Sequence, residues 1–350
     1  MKVFKKIITL ICFGFVLCSI FACSSKNEVK NDTSTAVSNE TETTTNKKTV
    51  KIVSTIFPIY DIVRNVVPND NYEMTLLLDS GIDIHNFSPT AKDIVKIAEA
   101  DLFIYVGGES DKWVDKVVAT AQNKNLKTIN LMNELGNLVK EEEVVDGMQH
   151  EHEEGEVHEE GEKYEEHEHE EHENDEHIWL SLRNAKAMTN AIAKKLIEID
   201  SENQIEIQKK ANAFAEKLDV LDKKYDEASQ NKKYDTVVFG DRFPFRYLVD
   251  DYGLKYFAAF SGCSAEAEAS FETVVFLAKK LDELGLKHIC TLKGAEPKVA
   301  KTVINASNDK DRDIVFFNSM EGITNVNDAE NTNYLKIMEE NLEAFKNATN

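Results

Sequence analysis

A chain of 350 residues has room for two domains and a sizeable core, at roughly 100–200 residues per domain. Hydrophobic residues make up 42% of it, as in an ordinary globular protein, so disorder is expected only in segments. Its 63 Asp and Glu outweigh 41 Lys and Arg, giving a net charge of −22 with no basic stripe, which excludes nucleic acid as a partner.

The amino terminus reads as a targeting segment. Residues 1–6 are basic and residues 7–22 apolar, a run too short for a comfortable transmembrane helix and the right size for a signal h-region. The sequence Ile20-Phe21-Ala22-Cys23, followed by Ser24-Ser25, resembles a bacterial lipobox. That resemblance implies a signal peptide over 1–22, cleavage before Cys23 and diacylglycerol on its sulfur. Residues 23–48 are rich in Ser, Thr and Asn and are expected to form a flexible tether, holding the protein on the outer side of the cytoplasmic membrane. With Cys23 lipidated, Cys263 and Cys290 are left free to pair in an exporting compartment.

The first folded region is expected at 49–200. A β-branched run at 51–55 precedes a helical pattern at 60–67, and strands follow at 74–78 and 102–106 with a helix at 91–99 between them. The 102–106 run is continuously apolar, as a buried parallel strand is, and Gly107-Gly108 reads as its terminator. A helix over 110–124 and a strand over 127–131 continue the alternation, the signature of parallel α/β construction.

An acidic stretch then interrupts. Residues 141–176 hold seventeen Glu, two Asp and one Lys, a formal charge of −18 that leaves −4 for the rest of the chain. Such a segment cannot bury enough apolar surface to offset its ordering entropy and is expected to be a disordered loop. His150, His152, His158, His167, His169 and His172 are interleaved with its carboxylates, offering borderline and hard ligands to divalent cations, above all Zn²⁺.

Helices are expected at 184–199 and 202–230. The second carries an apolar stripe through Ile205, Ala211, Phe214, Ala215, Leu218 and Leu221, and is about 40 Å long at 1.5 Å per residue. It is read as a connecting helix over 201–231. A second region, 232–350, repeats the pattern, with strands at 236–239, 255–260, 288–292 and 314–317. Its helices fall at 245–252, 270–284, 298–306 and 333–347. The fold class is therefore α/β, two halves joined by one long helix.

Two histidines are candidate ligands, though each taken alone is equally an ordinary partly buried side chain. His85 follows a strand and precedes a helix, where open α/β sheets bind ligands, and His177 stands beside Trp179 as the acidic stretch ends. Five segments resemble one family: His85 with Pro89 four residues on, ADLFIYVG at 100–107, His177-Ile178-Trp179-Leu180, Asp250-Asp251-Tyr252-Gly253-Leu254, and the short motif from Ser264 to Ser270. Over about 50–350 the chain resembles the cluster A-I substrate-binding proteins of zinc/manganese ABC transporters, including their His-rich loop. The resemblance implies two pseudo-symmetric lobes on a rigid helix, one metal in the interlobe cleft, and ligands at His85 and His177. It also implies partnership with an ABC permease and its ATPase, a lipid-anchored monomer and no enzymatic activity, with Zn²⁺ or Mn²⁺ as cargo.

The chain departs from the family pattern at the other two ligands. Counting back from Tyr252, the family's third histidine falls on Arg242, which stays protonated and cannot ligate, so the neighbouring Asp241 is the expected donor. The fourth position, a carboxylate after the last core strand, falls near Asn318, and Glu321 is the closest acid. His288 and Cys290, on one predicted strand, and Glu268 are read as structural. Two other functions remain open on composition: a surface metal buffer or adhesin without a permease, and a metallohydrolase, which lacks an HExxH motif to support it.

Overall fold

The computed structural model describes residues 48–79, 81, 83–149, 173–264, 268–294 and 296–350. Cys23, the signal peptide and almost all of the tether lie outside the described residues, as do the six histidines of the acidic stretch. Residues from Lys47 onward form one compact unit. Among the described residues no helix is long and apolar enough to cross a membrane.

The first half runs β1 (Val50–Ser54), α1 (Phe57–Val66), β2 (Tyr72–Leu76), α2 (Ala91–Glu99), β3 (Leu102–Tyr105), α3 (Val114–Ala119), β4 (Lys127–Asn130) and α4 (Leu131–Leu135). Its strands form one parallel sheet in the order β2-β1-β3-β4. Parallel pairing demands crossover connections, which here are helices. Local chemistry sets their starts: Pro58 sits in the first turn of α1, and Thr90 and Asp93 form a reciprocal capping box on α2. The expected helix over 110–124 is shorter. Asn123 donates to Ala100 O at 2.7 Å and accepts from Asn125 N at 3.0 Å, drawing the chain into a turn after α3.

Next come α5 (Leu182–Ile199) and α6 (Gln204–Gln230), the latter 27 residues long and about 40 Å end to end. Ile207, Ala211, Phe214, Leu218, Leu221 and Tyr225 make its buried stripe. Ile205, placed on that stripe by its sequence spacing, is instead 79% exposed, because the buried face enters the helix one half-turn later, at Ile207. Helix α6 packs on α1 and α5 and also on the last helix of the chain.

The second half runs β5 (Thr236–Phe243), α7 (Arg246–Asp251), β6 (Lys255–Ser261), α8 (Phe271–Glu283), β7 (His288–Leu292), α9 (Lys298–Ala306), β8 (Asp313–Phe317) and α10 (Tyr334–Ala348). Its parallel sheet has the order β6-β5-β7-β8. Strand β5 extends well past the expected 236–239, and its register against β6 slips by one residue between Phe239 and Arg242. That extra residue is a bulge, a device that re-aims side chains at the end of a strand. One apolar core runs continuously through both halves, from Ile52 and Phe103 through Trp179 and Phe214 to Phe239 and Phe345. A second core lies under α8 and α9.

The expected disorder over 141–176 is too broad at both ends. Glu141 bridges Asn174, Gln149 bridges Phe260, Met148 is buried, and Asp175 and Glu176 are buried as well. These residues have backbone and apolar partners that charge counting does not register. Cys263 and Cys290 are both free thiols. Cys290 lies on β7, two strands from β6, so about 9.6 Å of sheet separates it from the strand leading to Cys263. A disulfide needs Cα atoms within about 7 Å, and a whole strand, β5, stands between β7 and the strand leading to Cys263.

Candidate metal centre

His85 sits in a single 3₁₀ turn, Ile84–Asn86, after β2, and the Asp83 carboxylate caps that turn by accepting from His85 N at 3.0 Å. His177 opens the turn that leads into α5 and is wholly buried. The two rings point Nε2 at Nε2, 3.2 Å apart. Each is held from behind, which fixes its orientation. His177 Nδ1 meets Asp175 Oδ1 at 2.9 Å, and the same oxygen accepts the His177 backbone N–H at 2.8 Å. His85 Nδ1 lies 2.9 Å from Ser110 Oγ, whose residue donates from N to Glu176 at 2.8 Å and also from its hydroxyl.

Glu321 completes the cluster from the second half. It follows β8 in a turn where Met320 takes φ +65°, the one described non-glycine residue with a positive φ. Asn318 accepts from Met320 N at 2.9 Å to hold that turn, and Trp179 Nε1 donates to Ser319 O at 2.8 Å. The Glu321 carboxylate thereby lies 3.5 Å from His177 Nε2 and 3.7 Å from His85 Nε2. Both of its oxygens are buried and without a hydrogen-bond partner. A buried carboxylate without a hydrogen bond is costly, and here the cost is offset by charge, from His177 at 3.5 Å and Arg242 at 3.9 Å.

The charges are coupled through this contact. Burial disfavours ionised Glu321, yet His177, Arg242 and His85 override it and hold the carboxyl near a pKa of about 2. Burial also opposes a charged His177, but Asp175 and Glu321 outweigh it and raise that pKa to about 10. His85 goes the other way: burial, then repulsion from His177, lower it to about 4. Two imidazoles and one carboxylate thus share a single proton, held on His177.

Of the four cleft residues expected from sequence, the structure brings together His85, His177 and Glu321 and leaves Asp241 out. Asp241 Oδ2 accepts from Thr291 Oγ1 at 2.7 Å and Leu292 N at 3.1 Å, which ties β5 to β7. The bulge in β5 turns Arg242 to the cleft instead. There it pairs with Asp83 at 2.7 Å and stands 3.9 Å from Glu321. Asp83, His85 and Glu321 also offer ligand atoms within 4.8 Å of one another. Cys263, which sequence reasoning weighed only as a disulfide partner, lies beside the two imidazoles. Gly107-Gly108 proves more than a strand end: a Cβ at Gly108 would collide with the Glu176 carboxylate that supports Ser110.

Known proteins share this architecture. A zinc-binding lipoprotein, AdcA, of Streptococcus pneumoniae is 31% identical over 301 residues, 86% of this chain and 56% of that protein. The chain therefore spans about half the length of the streptococcal relatives it matches. The high-affinity zinc uptake system protein ZnuA of Bacillus subtilis is 28% identical over 297 residues, 85% of this chain and 86% of the relative. The crystal structure of the Zn(II)-bound ZnuA-like domain of S. pneumoniae AdcA superposes with a TM-score of 0.65 at 27% identity, covering 86% of this chain and 98% of that domain. The model of the ZnuA family, zinc-uptake complex component A, matches residues 52–348, and with both lobes and the facing histidines in place the chain belongs to that family.

Proposed function

We propose that this protein captures Zn²⁺ outside the cytoplasmic membrane and delivers it to an ABC permease and its ATPase. The cation would sit between His85 Nε2, His177 Nε2 and the Glu321 carboxylate. The observation that carries this reading is Glu321, whose Oε1, buried and without a hydrogen bond, lies 3.5 Å from His177 Nε2 and 3.7 Å from His85 Nε2. Imidazole and carboxylate together suit zinc, and manganese is the weaker fit because its preferred donors are oxygen. Zinc-binding relatives in the same family support the assignment. The protein binds and releases its cargo unchanged, acts as a monomer, and is held to the membrane through lipid on Cys23. The test is zinc titration of the full chain against His85→Ala, His177→Ala and Glu321→Ala. Each substitution should weaken the tight equivalent at least 10-fold, about 1.4 kcal/mol. Three variants that bind as the parent does would overturn the site.

A further inference from the structure

We propose that Cys263 is a further protein donor to the same cation, its sulfur bound as a thiolate beside the two imidazoles. This rests on the zinc-capture reading above and adds a ligand to it. One ring nitrogen from each of His85 and His177 and the Cys263 Sγ lie within 4.8 Å of one another. The backbone brings the sulfur there. Strand β6 ends at Ser261, and a Cβ on the next residue, Gly262, would stand 2.9 Å from His177 Cε1. Glycine lets the chain run against the imidazole edge, and Cys263 is the first side chain after that passage. Its amide donates to the Glu142 carboxylate at 3.4 Å, which fixes the peptide.

Charge gives a second, independent argument. Zinc brings +2, and two neutral imidazoles with ionised Glu321 leave the donor set at +1. Arg242 is already matched by Asp83, and Asp175 and Glu176 stand behind the two rings, as Glu142 stands behind the Cys263 peptide, rather than at the ion. A thiolate brings the donor set to neutrality, which the low-dielectric interior favours. On binding, the Cys263 S–H bond breaks heterolytically, the sulfur keeps the electron pair and forms the metal–sulfur bond, and the proton leaves to solvent. Sulfur also sets selectivity, since a soft thiolate favours zinc over manganese.

Cobalt(II), one equivalent on the full chain, serves as the spectroscopic probe. The parent and Cys290→Ser should show a sulfur-to-cobalt charge-transfer band that Cys263→Ser lacks while still binding one equivalent. Zinc-edge absorption of the parent should contain a Zn–S path at about 2.3 Å. The zinc-over-manganese preference should fall at least 10-fold in Cys263→Ser. A parent that binds one equivalent without the band, or a band that survives Cys263→Ser, removes Cys263 from the site and leaves the His85, His177 and Glu321 assignment standing. A chain that takes up neither cobalt nor zinc overturns both.

Discussion

Zinc binding should expel protons, and the site geometry fixes how many. Without metal, His177 carries the proton of the facing pair because Asp175 and Glu321 outweigh its burial and raise it to about 10, while burial and its charged neighbour keep His85 near 4. Between pH 6 and 8, then, one imidazole proton must leave for each zinc bound. In Cys263→Ser, where no thiol contributes, affinity should rise tenfold per pH unit. That is about 100-fold from pH 6 to pH 8, or about 2.7 kcal/mol at 1.36 kcal/mol per unit. The sign follows from chemistry: protonated His177 has no lone pair on Nε2, so affinity falls as pH falls. In the parent the Cys263 proton doubles the slope. Competition against a chromophoric zinc chelator measures the slope, and calorimetry in two buffers of different ionisation enthalpy counts the protons. Two ordinary imidazoles, near a pKa of about 6.5, would give a slope that flattens above that pH. A flat profile from pH 7 to 8 in Cys263→Ser would refute the shared proton.

Asp241→Ala should leave zinc affinity unchanged and lower stability by about 1–3 kcal/mol, since it strips Thr291 and Leu292 of their acceptor; chelator competition and urea denaturation read the two effects. Gly262→Ala should do the reverse, because its Cβ would displace the His177 ring: a loss of zinc affinity of 10-fold or more with the circular dichroism spectrum kept. Cys23→Ala should release the protein from membranes or leave it unprocessed, which fractionation detects, and continued tight membrane association would contradict lipidation.

The alternation of strands and helices was legible in sequence because period-2 and period-3.6 patterns report burial directly, and each of the eight described strands overlaps a stretch expected to be one. His85 and His177 were singled out by the family resemblance, since each on its own reads equally as an ordinary partly buried histidine. The place of Asp241 was not legible. Counting residues gives a position along β5 but not the side of the sheet, and the bulge between Phe239 and Arg242 reverses the side that alternation predicts. Glu321 was reachable only as the nearest acid past the last strand; the positive φ at Met320 that aims it is a backbone state no composition encodes. Cys263 stayed hidden because its role comes from Gly262 meeting His177, a contact between residues far apart in the chain.

Four buried hydrogen bonds stitch one half to the other: Trp179 to Ser319, Tyr334 to Trp179, Tyr334 to Asp61, and Tyr247 to Asp175. Prising the halves apart would leave their donors and acceptors unmet, at about 1–3 kcal/mol each, or about 4–12 kcal/mol together. Thermal agitation would then gape the cleft no more often than about once in a thousand encounters, and at the upper figure far less. If the cleft holds a cation as proposed, the same seam would oppose its entry and its release alike, and each would call for an outside supply of that energy.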